Sequence, residues 1–151
     1  MAKLTLSLGS NQGDRPGYLA YARAELGRQL GPLTYASAVV SNPAWGPVPQ
    51  DDYLNQIVVL SVAVPLAGPD LPLALHGLLD RTQAIEAGAD RRRDVRWGPR
   101  TLDIDLIFLD DIVYEDSRLS LPHPWWWYRP FVRDLLPPGL VDPYGRILDP
   151  R

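Results

Sequence analysis

Residues 102–108, Leu-Asp-Ile-Asp-Leu-Ile-Phe, alternate so strictly that a β-strand is the form that suits them. Leu102, Ile104 and Leu106 fall on one face, and Asp103, Asp105 and Ile107 on the other. Same-face neighbours on a strand stand about 6.5–7 Å apart. Two carboxylates at that spacing on a rigid element can share a small group of hard cations. Magnesium suits them, because it takes one or two protein carboxylates and completes its octahedron with water and phosphate oxygens. Just upstream, Arg91, Arg92, Arg93, Arg96 and Arg100 offer planar forks for phosphate oxygens. Asp103 and Asp105 are therefore candidate metal ligands and the arginines a candidate phosphate clamp, the parts of a phosphoryl-transfer site. Taken singly, an Asp-x-Asp strand face or an arginine run is more often solvated surface. Their adjacency favours chemistry: like charges on one strand face repel, and Ile107 on that face implies that it is partly covered.

Composition narrows the partners. The chain has 151 residues, 46% hydrophobic and 22% charged, which fits a single globular domain over 1–151 with its own core. A net charge of −3 argues against nucleic acid or an anionic membrane as partner. Yet the cluster from Arg91 to Arg100 concentrates positive charge against that acidic background, which points to a focused anionic ligand. Cysteine is absent, excluding disulfides and thiolate metal sites. There is no signal-peptide pattern at Met1-Ala2-Lys3-Leu4 and no apolar run of membrane-spanning length, so a cytoplasmic location is expected. The 16 prolines, about twice the usual share, group in predicted loops and stiffen them.

In chain order, residues 3–8 read as a strand with Leu4, Leu6 and Leu8 inward, and residues 9–16 as a turn cluster. Leu19, Ala22, Leu26 and Leu30 predict a helix over 16–30, opened by Pro16 and ended by Gly31-Pro32. A strand is expected over 33–40, then a loop over 41–52 too rich in Pro and Gly for regular structure. Trp45 in that loop is either a cover for the core or a ligand platform. Residues 53–64 form a β-branched strand, and Asn55 at its start offers one donor and one acceptor to a ligand. Asp70 is a candidate N-cap for a helix over 71–87, with Leu71, Leu75, Leu78, Leu79, Thr82 and Ile85 inward and Gly88 closing it. Gln83 and Glu86 lie three apart on that helix. Asp110-Asp111 marks a turn, after which residues 112–114 pair back as a short strand. Trp125, Trp126, Trp127 and Tyr128 are consecutive, so they cannot all be buried on one face. At least one is exposed, as a base platform, a dimer contact or a packing lid. The order of elements predicts an α+β domain, a mostly antiparallel sheet with packed helices.

Arg96-Trp97-Gly98-Pro99-Arg100-Thr101-Leu102-Asp103-Ile104-Asp105 closely resembles the signature of the 6-hydroxymethyl-7,8-dihydropterin pyrophosphokinases of folate biosynthesis. The likeness extends along nearly the whole chain. Leu8-Gly9-Ser10-Asn11 is similar to the family's first strand end, and Pro43-x-x-Gly46-Pro47 followed by Asp52-Tyr53-Leu54-Asn55 to its pterin loop. Pro122-His123, with Arg129 six residues after the His and Phe131 beyond it, completes the pattern. The resemblance implies a ferredoxin-like core and transfer of pyrophosphate from ATP, the co-substrate, to the pterin, releasing AMP, with two Mg2+ ions on Asp103 and Asp105. It implies catalytic roles for Asp103, Asp105, Arg100, Arg92 and Arg93. ATP phosphates fall to Arg91, Arg92, Arg100, His123 and Arg129, with Gln83 and Glu86 helping to order the site. Asn42, Ala44, Trp45, Tyr53, Asn55, Trp97 and Phe131 are implied to form the pterin pocket. A monomer is expected, with the surface of Trp125, Trp126 and Trp127 as the place for any dimer.

One segment departs from the family. Asp90-Arg91-Arg92-Arg93 stands where many members carry Gly-Arg-x-Arg, and the stretch between Glu86 and Trp97 is one residue short. Counting from Glu86 matches Arg91 and Arg93 to the family's arginines; counting from Trp97 matches Arg92 and Arg93. Two rival readings follow. One is a non-catalytic nucleotide- or RNA-binding module, with the arginines on phosphates and the tryptophans stacking on bases. The other is a pyrophosphokinase relative whose activity is lost or changed.

Overall fold

The computed structural model describes residues 1–44, 46–65, 67–89, 100–138 and 143. The sequence-predicted residues Trp45, Arg91, Arg92, Arg93 and Trp97 lie outside them, as does nearly all of the tail beyond Pro138.

The first strand is longer than its alternation suggested: β1 runs Ala2–Ser10, because its outward residues Thr5 and Ser7 are buried too. It lies between two antiparallel partners, β4 (Tyr53–Val62) and β5 (Asp103–Leu109). β2 (Leu33–Ala36) and β3 (Val40–Asn42) both pair with β4. The main path is therefore β2-β4-β1-β5. With helix α1 (Arg15–Gln29) following β1 and helix α2 (Leu71–Gly88) following β4, this is the ferredoxin-like arrangement.

Both helices cover one face. Leu19, Ala22 and Leu26 of α1 and Leu75, Leu78 and Ile85 of α2 pack with Leu4, Leu6, Leu8, Val58, Leu60, Ile104 and Leu106. Truncating any such buried leucine to Ala costs about 2–5 kcal/mol. The Asp14 carboxylate accepts from the Gly17 N–H at 3.1 Å, capping α1. Asp70, the expected cap of α2, makes no such bond: its backbone is already helical (φ −83, ψ −10), which points the side chain away from the first turn.

The strand expected over 33–40 is in fact two. Ser37 interrupts it: the Ser37 Oγ accepts from the Ile57 N–H at 2.9 Å, and its carbonyl accepts from Gln56 Nε2 at 2.8 Å. Side-chain groups thus replace ladder bonds, and the edge steps out. Residues 112–114 likewise do not pair back on β5. Instead β6 (Tyr114–Glu115) pairs with β7 (Ser120–Leu121) as a separate ribbon.

Among the described residues, the opposite sheet face is covered only in part. A 3-10 turn (Trp126–Tyr128) and α3 (Pro130–Leu135) pack there through Trp126, Val132 and Leu136 against Ile57, Ile107 and Phe108. Trp126 is 1% exposed and meets Phe108 edge-on at 4.9 Å, whereas Trp125 and Tyr128 are 60% and 70% exposed. The tight turn makes neighbouring rings diverge, so the aromatic run divides between core and surface as expected. Phe108 reaches this side through a bulge. Thr5 pairs with Phe108 but Leu6 with Leu106, so Ile107 is an extra residue in β5 and Phe108 shares its face.

Candidate functional site

The end of that second face beyond this cluster carries the polar residues. Gly9 pairs with Asn55 on one side and Asp103 on the other, and Ser7 with Ile57 and Asp105. The sheet register thus sets Asn55 and Asp103 two strand spacings apart, about 9.5 Å, with only glycine between them. A Cβ at position 9 would stand 3.0 Å from Asn55 Nδ2 and 3.3 Å from the Tyr53 ring. The missing side chain leaves a bare-backbone floor between the amide and the carboxylate. Asn42 donates to Asn55 Oδ1 at 3.1 Å, and the Tyr53 hydroxyl lies 3.4 Å from Asp103 Oδ2. Ala44 is half-buried in the loop that follows β3, and Phe131 is half-buried on α3 against the cluster containing Ile57.

Each carboxylate also faces an arginine. Arg100 Nε is 3.8 Å from Asp103, and Arg129 Nη1 is 3.3 Å from Asp105. His123 joins them: its N–H donates to the Ile107 carbonyl at 2.9 Å, anchoring the segment to β5. The Trp125 N–H donates to His123 Nδ1 at 3.1 Å, which leaves the ring hydrogen on Nε2. Burial pushes the His123 pKa down, the negative charge of Asp105 opposes that shift, and Arg129 reinforces it. The neutral ring is thus favoured, a donor without added charge.

Gln83 and Glu86 part company. Gln83 is exposed, whereas Glu86 is buried and its Oε2 accepts from the Ile104 N–H at 2.8 Å. The carboxylate of α2 therefore grips β5 between its two aspartates. Asn11, which the sequence reading gave no role, is a second clip. It is 2% exposed, and its Nδ2 donates to Gln50 Oε1 (2.8 Å) and the Asp51 carbonyl (3.0 Å). Its Oδ1 accepts from the Arg100 N–H at 2.8 Å.

On the other side of Asp105 lies a cleft of about 320 Å³. Leu79, Ile104, Leu106 and Leu119 line it, with Asp105, Asp116, Ser117, Arg118, Ser120 and His123 as polar groups. Such size and lining suit a small planar ligand with a few polar anchors. The sequence reading overlooked Arg118, Leu119 and Ser120. Their signal was proximity, since they immediately precede Pro122-His123. Among the described residues no group of three or more His, Cys, Asp or Glu side chains is arranged to hold a metal. No helix among them is long and apolar enough to cross a membrane.

A family model described as 7,8-dihydro-6-hydroxymethylpterin-pyrophosphokinase matches residues 5–137. Proteins named 2-amino-4-hydroxy-6-hydroxymethyldihydropteridine pyrophosphokinase are similar over most of the chain. That of Synechocystis sp. is 43% identical over 144 residues, covering 91% of this chain and 68% of the relative. That of Methylorubrum extorquens is 38% identical over 144 residues, covering 95% and 84%. That of Mycobacterium tuberculosis is 35% identical over 156 residues, covering 97% and 76%. From the ferredoxin-like sheet to the paired aspartates and this span of likeness, the chain belongs to the 7,8-dihydro-6-hydroxymethylpterin-pyrophosphokinase family.

Proposed function

We propose that this chain transfers the terminal pyrophosphate of ATP to the hydroxymethyl group of 6-hydroxymethyl-7,8-dihydropterin, releasing AMP, and that the two substrates meet over Asp103 and Asp105. One observation supports the placement: two unlike sites adjoin the carboxylates, a bare-backbone floor beside Asp103 and a cleft of mixed polar and apolar lining beside Asp105. The pterin lies on the floor. Asn55, with Asn42 behind it, presents amide groups to the amino-pyrimidinone edge, and Tyr53 walls the pocket. Ala44, Trp45, Trp97 and Phe131 complete that pocket on the strength of the family likeness.

The nucleotide base and ribose occupy the cleft, and the phosphates run past His123 toward Arg129 and Arg100. Arg91, Arg92 and Arg93 supply further phosphate contacts. The donor set fits magnesium. Two strand carboxylates without a third protein ligand among the described residues leave coordination positions for water and phosphate oxygens. Two such ions, when bound, neutralise phosphate charge and lower the pKa of the attacking hydroxyl. The chain's own contribution is alignment. The hydroxyl oxygen bonds to the β-phosphorus as the bridge to the α-phosphate breaks, and the hydroxyl gives up its proton. Arginine and histidine donors stabilise the charge on the transferred group.

The test is AMP release from ATP and magnesium, with and without the pterin. Pterin-dependent AMP that a chelator abolishes is expected. Asp103→Ala and Asp105→Ala should each lower kcat by about 100-fold or more, with unchanged thermal midpoints. AMP formation independent of pterin, or full turnover in both variants, would overturn the reading.

A further inference from the structure

The wall of the cleft is built from a short ribbon that Leu119 and Leu121 anchor in the core while its polar residues face the cleft. β6 and β7 pair through only Tyr114 with Leu121 and Glu115 with Ser120, and an isolated two-stranded ribbon is marginal in water. The segment after β6, residues 116–120, turns and ends in the first residue of β7, and it supplies Asp116, Ser117, Arg118, Leu119 and Ser120 to the cleft lining. Asp116 organises this turn. Its Oδ1 accepts from the N–H groups of Arg118 (2.8 Å) and Leu119 (3.0 Å), and its Oδ2 accepts from the Tyr114 hydroxyl. The same Oδ2 is in hydrogen-bond contact with His76 Nε2 on α2. One helical turn further on, Asp80 accepts from Arg118 Nη2 at 2.7 Å. His76 and Asp80 are four residues apart and share a face of α2, with Leu79 beside them in the cleft wall.

We propose that His76 is a positioning residue for the nucleotide: through Asp116 it holds the 116–120 turn at the spacing from α2 that sets the width of the cleft. The Asp80–Arg118 ion pair is the second tether of the same latch. His76 does not itself line the cleft, so it acts on ligand affinity and not on the reacting groups. The inference rests on the nucleotide reading of that cleft.

The experiment compares wild type, His76→Ala and His76→Gln. Glutamine places an amide donor near the position of imidazole Nε2 and should restore the contact to Asp116. Steady-state kinetics give KM for ATP, KM for pterin and kcat. Calorimetry gives the affinity for an ATP analogue whose bridge between the α- and β-phosphates is methylene, which binds without reacting. In His76→Ala, KM for ATP and the analogue Kd should rise about five- to tenfold, with kcat within about twofold and the pterin KM unchanged. His76→Gln should recover most of the loss. Faster amide exchange at Arg118 and Leu119 in His76→Ala alone should accompany it. Asp80→Ala, which cuts the other tether, should shift the same constants in the same direction and guards against a His76→Ala that melts early.

An unchanged analogue Kd in both His76→Ala and Asp80→Ala would overturn the latch. A kcat that falls in step with kcat/KM, or no rescue by Gln, would do the same. Analogue binding without pterin-dependent AMP in the wild type would sink the catalytic reading, while the latch is still judged by Kd. No analogue binding by the wild type would overturn both.

Discussion

Asn11 and Arg100 are tied by hydrogen bonds running in opposite directions. The Asn11 N–H donates to the Arg100 carbonyl at 3.0 Å, and the Arg100 N–H donates to Asn11 Oδ1 at 2.8 Å. The same side chain holds Gln50 and Asp51, so one buried amide joins the loop after β1, the loop before β4 and the approach to β5. Asn11→Ala strands several of these partners. The expected loss is roughly 2–4 kcal/mol by urea denaturation, with a larger proportional loss in kcat because Arg100 is released beside Asp103. An unchanged midpoint and rate would show that the clip is redundant.

Gly9→Ala tests the floor between Asn55 and Asp103. The added methyl meets Asn55 Nδ2 at 3.0 Å and the Tyr53 ring at 3.3 Å, so both must yield by a few tenths of an ångström. The pterin KM should rise about tenfold, while the KM for ATP, whose cleft lies on the far side of Asp105, stays put. A parallel rise in both constants would mean that the two sites are not separate.

Glu86 separates an acceptor from a charge. Glu86→Ala leaves the buried Ile104 N–H without its 2.8 Å acceptor, a loss of roughly 1–3 kcal/mol. Glu86→Gln retains an oxygen there and should lose less. Equal losses in the two variants would mean that the negative charge, and not the bond, is what β5 needs.

The Asp116 carboxyl is held well below the usual range. The Tyr114 hydroxyl is the chief cause, followed by the Arg118 N–H, His76 and the Leu119 N–H. A carboxyl lowered in the folded state contributes stability above its unfolded value and loses it as pH falls through the folded one. Acidification from neutrality should therefore leave the turn intact down to about the ordinary 3.8, with its loosening confined to pH below that value. The amide shifts of Arg118 and Leu119, followed by NMR during acid titration, check this. Loosening of the turn already well above pH 3.8 would contradict it.

Periodicity made most of the scaffold legible. The leucines of β1, α1 and α2 repeat at strand and helix intervals, and Asp103 and Asp105 stand out because they break an apolar strand on one face only. What stayed hidden has no period. Ser37 splits a strand with a hydroxyl that imitates a ladder partner. Asn11 sits in a Gly-Ser-Asn-Gln-Gly setting where a buried structural amide and a solvent-facing turn residue look alike. α3 was masked by the bulky aromatics ahead of it. Arg118 and Ser120 belong to a turn too short to show any pattern, and they gain meaning only when α2 closes the cleft opposite them.

The bulge in β5 has a consequence of its own. The carbonyl that seats His123 belongs to Ile107, the residue by which β5 exceeds its partner strand. Any amino acid carries that oxygen. What aligns the imidazole with Asp105 is thus chain length and not side-chain identity. Exchanging Ile107 for another apolar residue disturbs packing alone. Removing it would make the ladder regular, with Phe108 still opposite Thr5, and would take away the very carbonyl that seats His123 beside the carboxylates it serves.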